Sequence, residues 1–231
     1  MIRLEPRFAE FAAMTNFSFL RGASHPEEMV ARAAELGLAG IGIADRNTLA
    51  GVVRAHVFAR ENAGAMGATR VVPGARLAFD DGAPDVLAYP KDRAAYGRLC
   101  RILTAGNLRA PKGECRLRLD DLVERGEGLQ VVALPLIRPR YARPPSPAGG
   151  RRGAPALAHR ASTDACLSTS YAGEGWGEGR ALSRLREAFG QRLWIGASLT
   201  YGEHMRGGLA RRAALARQVG APLIATNDAL M

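Results

Sequence analysis

Leu36-Gly37-Leu38-Ala39-Gly40-Ile41-Gly42-Ile43-Ala44-Asp45-Arg46-Asn47 is the stretch on which the fold turns. Gly37 stops a helix, Gly40 to Ala44 is apolar without interruption, and Asp45 ends the run. A short strand with no polar alternation is buried on both faces, the mark of a strand inside an α/β sheet. Upstream, Ser24 and Glu27 have capping-box spacing around Pro26, and Met29, Val30, Ala33 and Leu36 recur at helical intervals. Downstream, Thr48 is placed to cap a helix whose Leu49, Val52, Val53, His56 and Val57 share one face.

The alternation extends in both directions. Phe8 to Ala13 reads as a first strand leading into a loop at Thr15 to Leu20, and Val71 and Val72 open a third strand. Leu77 to Phe79 and Val86 to Tyr89 flank the turn residues Asp80, Asp81 and Gly82. Asp92 caps a helix with Tyr96, Leu99 and Leu103 inward, and Gln130 to Leu134 forms another strand. Later, Leu182, Leu185 and Phe189 lie on a helix, Leu193 to Leu199 on a strand, Gly207 to Val219 on a helix and Leu223 to Thr226 on the last strand. This order predicts parallel strands joined by right-handed crossovers, in an α/β sheet or barrel. Chemistry in such folds gathers at strand carboxyl ends, here Met14 to Asn16, Asp45 to Asn47 and Asn227 to Leu230.

One segment breaks the pattern. Arg138 to Arg180 holds five Pro, seven Gly and seven Arg in 43 residues, with no Ile or Val, so it cannot build a core. It is expected to be a disordered insertion, dividing the fold into 1–137, 138–180 and 181–231. The whole chain has 231 residues and a formal net charge of +10, which favours acidic partners such as nucleic acid. Only Lys91 and Lys112 among the 32 basic residues are Lys, a bias that base composition of the gene would explain as readily as phosphate contact, so charge supports nucleic acid only weakly. No run approaches the roughly 18 apolar residues of a membrane span, and the first ten residues lack an apolar signal core, so a cytoplasmic location is expected. Cys100, Cys115 and Cys166 are scattered, with no C-x-x-C pair, and form neither a disulfide framework nor a zinc cage.

Asn16-Phe17-Ser18-Phe19-Leu20-Arg21-Gly22-Ala23-Ser24-His25-Pro26-Glu27-Glu28 closely resembles bacterial error-prone DNA polymerases, the damage-inducible relatives of the polymerase III alpha subunit. The resemblance continues through Leu36 to Asn47, Leu49 to His56, Tyr96 to Cys100, Arg109 to Glu114 and Pro222 to Asp228. It implies a PHP (polymerase and histidinol phosphatase) domain, a distorted β/α barrel. In active members of that family a His-x-His, an Asp-His and an Asp-x-His at three strand ends hold a metal cluster that activates water.

This chain departs from that pattern at each point. The first pair falls on Ala12 and Met14, the second reads Asp45-Arg46, and the third reads Asp228-Ala229-Leu230. A methyl group cannot ligate an ion, and Arg46 sets a permanent cation where one would sit. The resemblance therefore implies a vestigial pocket of Asp45, Arg46 and Asp228, with Arg46 pairing with either carboxylate and no metal bound. His25, His56, His159 and His204 show no H-x-H or H-x-x-x-H spacing, and His56 is expected on an apolar helix face.

Polymerisation needs closely placed acids for two metal ions. The family places them beyond the PHP domain, so Mg2+ is expected for the parent polymerase and no cofactor for this fragment. The acidic pairs Asp80-Asp81 and Asp120-Asp121 read as a turn and a helix start. Phe17 and Arg21 are candidate nucleic-acid contacts, weighed against Phe17 and Phe19 packing under the barrel mouth. The leading expectation is a catalytically degenerate, structural PHP module of a translesion polymerase, present as a truncated piece. Its partners would be DNA, the missing polymerase core and replication or mutagenesis accessory proteins. The alternatives are a metal-dependent phosphoesterase or 3'-5' exonuclease, and a basic DNA-binding module without chemistry.

Overall fold

The strand at the centre of the sequence pattern, β2 (Gly40–Arg46), is buried along its first six residues in the computed structural model, which describes residues 8–135, 176–198 and 205–227. Ile41 and Ile43 point to one side, where Met29, Val30 and Ala33 of α1 (Pro26–Glu35) and Val52 and Ala55 of α2 (Ala50–Glu61) cover them. Gly42 and Ala44 point to the other, against the ring of Tyr89 and its neighbours. Both faces are thus apolar, as a doubly covered strand requires.

Seven strands form one sheet in chain order: β1 (Ala9–Ala13), β2, β3 (Arg70–Leu77), β4 (Asp85–Pro90), β5 (Leu129–Leu134), β6 (Leu193–Ala197) and β7 (Leu223–Ala225). The other helices described are α3 (Ala63–Met66), α4 (Arg93–Arg109), α5 (Leu119–Arg125), α6 (Trp176–Phe189) and α7 (Met205–Val219). Leu99, Ile102, Leu122, Leu182 and Leu185 from three of these helices bury the outer face of the β3 to β6 half. The sheet curls, bringing Phe11, Ala12, Ala44, Leu87, Tyr89, Val132, Trp194 and Ile224 into one interior cluster. Its two edges are joined by Glu10, which accepts hydrogen bonds from the Thr226 hydroxyl and from Asn227 N at 2.7 Å. The result is the expected distorted barrel.

Several local expectations need correction. Pairing is not parallel throughout, because β4 runs antiparallel to both β3 and β5. A hairpin through Asp80, Asp81 and Gly82 reverses the chain; Gly82 has φ +80, and Asp81 accepts from Ala83 N at 3.2 Å and Leu119 N at 2.7 Å. The α1 capping box lies one residue later than Ser24 and Glu27. With Pro26 in the first turn, His25 is the N-cap, and its N–H donates to Glu28 at 2.7 Å. On α2 the inward stripe is Gly51, Val52 and Ala55, so His56 and Val53 are exposed instead of sharing an apolar face. Finally, α6 begins at Trp176, inside the segment expected to be an insertion.

Candidate functional site

The parity of β2 separates two residues that lie side by side in sequence. Asp45 shares the Ile41 and Ile43 side, and Arg46 shares the Gly42 and Ala44 side, so they serve different neighbourhoods. Arg46 does not pair with Asp45. Its NH1 approaches Asp85 Oδ2 at 3.4 Å, and the same oxygen takes Arg76 Nε at 2.8 Å. Arg46 and Arg76 are register partners on β2 and β3. Asp85 reaches them because β4 is reversed, presenting its first residue where its neighbours present their last.

Ala12 and Met14 lie on the same interior side. Ala12 is fully buried in the central cluster, and Met14 Sδ is 4.0 Å from Arg76 NH1. The structure therefore brings Ala12, Met14 and Arg46 together around the mouth and adds Arg76 and Asp85, neither of which was singled out from sequence. Asp228 and Leu230 lie outside the described residues. Below this group, Tyr89 spans the interior and donates its hydroxyl to Phe11 O. Burial, reinforced by the Glu10 carboxylate and opposed by Arg76, holds the Tyr89 phenol well above its usual pKa, so it stays a neutral donor.

Asp45 performs a different task. Its carboxylate is fully buried and accepts from Thr15 N at 2.8 Å, Thr15 Oγ1 at 2.9 Å and Ser18 Oγ at 2.6 Å. Ser18 Oγ in turn accepts from Arg46 N at 3.0 Å. Gly51 makes the approach possible, because a Cβ there would run into Asp45 Oδ2. Three charge-assisted bonds thus fasten the β1–α1 loop to the tip of β2. The loop is cross-linked further by Asn16 N to Ser24 O at 2.9 Å, and by Arg21 N and Gly22 N to Ser18 O at 2.9 and 3.0 Å.

What the loop shows to solvent corrects the packing expectation for its aromatics. Phe17 is 38% exposed, Phe19 82% and Leu20 78%, and Arg21 is exposed beside them. Leu20 also sits at φ +61, a conformation that costs a non-glycine residue about 1–2 kcal/mol.

Among the described residues, the mouth offers few groups that ligate a metal. Of those residues, Ala12 presents a methyl group, Met14 a thioether and Arg46 and Arg76 guanidiniums, and Asp85 Oδ2 is engaged by both arginines. Among the described residues no group of three or more His, Cys, Asp or Glu is placed to hold an ion. Sequence reasoning missed Glu10, Ser18, Arg76 and Asp85, and reached Thr15 only as part of the strand end Met14 to Asn16. The signals were faint: a lone acid within an apolar strand for Glu10, and the Asp80-Asp81-Gly82 turn, which implies the reversal, for Asp85.

Comparison with known proteins agrees with the fold. The family model described as PHP domain matches residues 13–165. Error-prone DNA polymerase 1 of Rhizobium meliloti (strain 1021) is 44% identical over 96% of the chain. The error-prone DNA polymerases of Rhodopseudomonas palustris (strain BisB5) and Caulobacter vibrioides are 43% and 42% identical over 97%. The chain spans only 17% of the length of each of these relatives. Among solved structures, a Bifidobacterium adolescentis protein described as a metal-dependent phosphoesterase superposes with TM-score 0.54 at 15% identity, covering 97% of this chain and 88% of that one. A Chromobacterium violaceum amidohydrolase with bound sulfate and no metal gives 0.53 at 15% identity, covering 95% and 85%. At that identity the likeness is one of fold. No described helix is long and apolar enough to cross a membrane.

Proposed function

The chain belongs to the PHP domain family, and from that premise we propose that it is a non-hydrolytic module of an error-prone DNA polymerase, supporting the polymerase body in place of breaking phosphoester bonds. The observation that carries this reading is Asp85 Oδ2 held between Arg76 Nε at 2.8 Å and Arg46 NH1 at 3.4 Å. Fixed guanidinium charge occupies the mouth where active relatives of the fold would gather cations, and both guanidiniums converge on one oxygen of the Asp85 carboxylate, so an ion bound there would face two neighbouring positive charges. Ala12 and Met14 supply no lone pair of the kind that zinc or manganese prefers.

The similarity to error-prone DNA polymerases supports DNA as the eventual substrate. Templated nucleotide addition, with its Mg2+, would belong to the part of such a polymerase outside the span matched here. Accessory replication proteins would be met by that larger assembly.

The test is elemental analysis of the purified chain together with hydrolysis assays on a generic phosphoester and on single-stranded DNA. Metal well below one equivalent and no turnover above buffer are expected. Stoichiometric metal with hydrolysis that disappears in Asp85→Asn or Asp45→Asn would overturn the reading and favour a phosphoesterase or exonuclease.

A further inference from the structure

We infer that the loop from Asn16 to Ser24 is a preformed platform for single-stranded nucleic acid, on which Phe17 and Phe19 stack bases and Arg21 meets the phosphate backbone. The inference rests on the reading above only in taking DNA as the partner.

Rigidity is the first support. Large apolar side chains on a loop are more often turned inward than exposed. Here the buried Asp45 carboxylate, three hydrogen bonds to Thr15 and Ser18 and the Asn16 to Ser24 closure hold the backbone in a shape that leaves Phe19 82% and Leu20 78% exposed. Gly22 packs against Thr15 O so closely that a Cβ would collide with it. The left-handed backbone at Leu20 adds local strain that the anchoring overcomes. A strained segment held firmly with its aromatics outward is built to present them.

Charge selects the occupant. Residues 15–24 contain no carboxylate; Asp45, which touches the loop, is fully buried on Thr15 and Ser18, and Glu27, the next acid along the chain, is engaged by Arg54 at 2.6 Å. Arg21 makes no side-chain hydrogen bond or ion pair among the described residues. The Arg46 backbone is bonded directly to the loop, and its side chain is 35% exposed. An aromatic pair followed by Arg21, on a chain of formal charge +10, complements a polyanion with exposed flat rings. Single strands offer both features, whereas paired strands hide their base faces.

Fluorescence anisotropy with a labelled oligothymidylate, compared with a duplex of the same length, tests this. The wild-type chain should prefer the single strand, and Phe19→Ala should weaken binding at least about fivefold. Arg21→Ala should weaken binding and flatten its salt dependence. Phe19 is largely exposed, so thermal unfolding of Phe19→Ala should match wild type. Asp45→Asn, which loosens the anchor without touching an exposed residue, should also reduce single-strand affinity. Equal affinity for duplex and single strand, no effect of Phe19→Ala, or self-association abolished by Phe19→Ala would overturn the platform. None of those results touches the metal analysis, so the two readings fail separately.

Discussion

Arg76 Nε lies 2.8 Å from Asp85 Oδ2 across a hairpin whose second strand runs against every other strand in the sheet. The pair exists because of that reversal. A parallel strand in the same place would carry its first residue to the opposite end of the barrel.

Replacing Asp85 with Ala leaves two guanidiniums facing each other at the mouth. The expected cost is about 1–3 kcal/mol, read as a lower urea midpoint with an unchanged slope. An unchanged midpoint would mean that the arginines find water or other partners without loss.

Gly42 and Gly74 both lie against Tyr89, Gly42 toward the hydroxyl and Gly74 toward the ring edge, with Cε1 near both. A Cβ at residue 42 would stand 2.7 Å from the hydroxyl, whereas one at 74 would run into the ring edge. Gly42→Ala and Gly74→Ala should each cost roughly 1–3 kcal/mol by overpacking. Tyr89→Phe removes the hydroxyl but leaves the ring atoms, so its coupling to Gly42→Ala should exceed its coupling to Gly74→Ala. A double-mutant cycle by chemical denaturation separates the cases, and equal coupling for both would contradict the placement of the ring.

Glu10→Ala takes the acceptor from Thr226 and Asn227. Amide hydrogen exchange at Asn227 should accelerate well beyond that of β2 amides, since the seam opens while the centre of the sheet remains paired. Uniform acceleration across the molecule would instead mark Glu10 as a contributor to global stability alone.

Asp121 is held by Arg109 through paired contacts at 2.7 and 2.9 Å, with Arg118 N at 2.9 Å and Arg125 at 3.3 Å. The Arg109 hydrogen bond, opposed by burial and aided by Arg118 N and Arg125, holds its carboxyl below the usual carboxylate range. A depressed folded-state pKa stabilises the fold above the unfolded value of about 4. That contribution is lost as pH falls through the lower folded-state value. Asp121→Asn should therefore reduce stability at neutral pH and flatten the acid limb of the stability profile, measured by thermal melts from neutral pH downward.

The fold was legible where one residue type dominated a segment. Gly40 to Ala44 could be nothing but a doubly covered strand, and Asp92 caps α4 through Ala95 N at 2.8 Å as its position suggested. The site was harder to read, for reasons of geometry. Asp45 and Arg46 are adjacent in sequence, yet a pleated strand sends them to opposite faces, so one anchors a loop while the other guards the mouth. Asp85 came into view only once β4 was known to be reversed, since periodicity carries no information on strand direction. The exposure of Phe17 and Phe19 was hidden for another reason: apolar side chains default to burial, and the anchoring that overrules this depends on Thr15, Ser18 and Asp45 meeting across 27 to 30 residues.

The clasp between Glu10 and Thr226 joins groups 216 positions apart. On the ribosome, the first strand emerges long before its last partner has been translated, so this contact must form late and its loop-closure entropy is met at the end of folding. Until then the β1 edge stays open to strands of other chains. The interval between synthesis of the two ends is when this barrel is most vulnerable to aggregation.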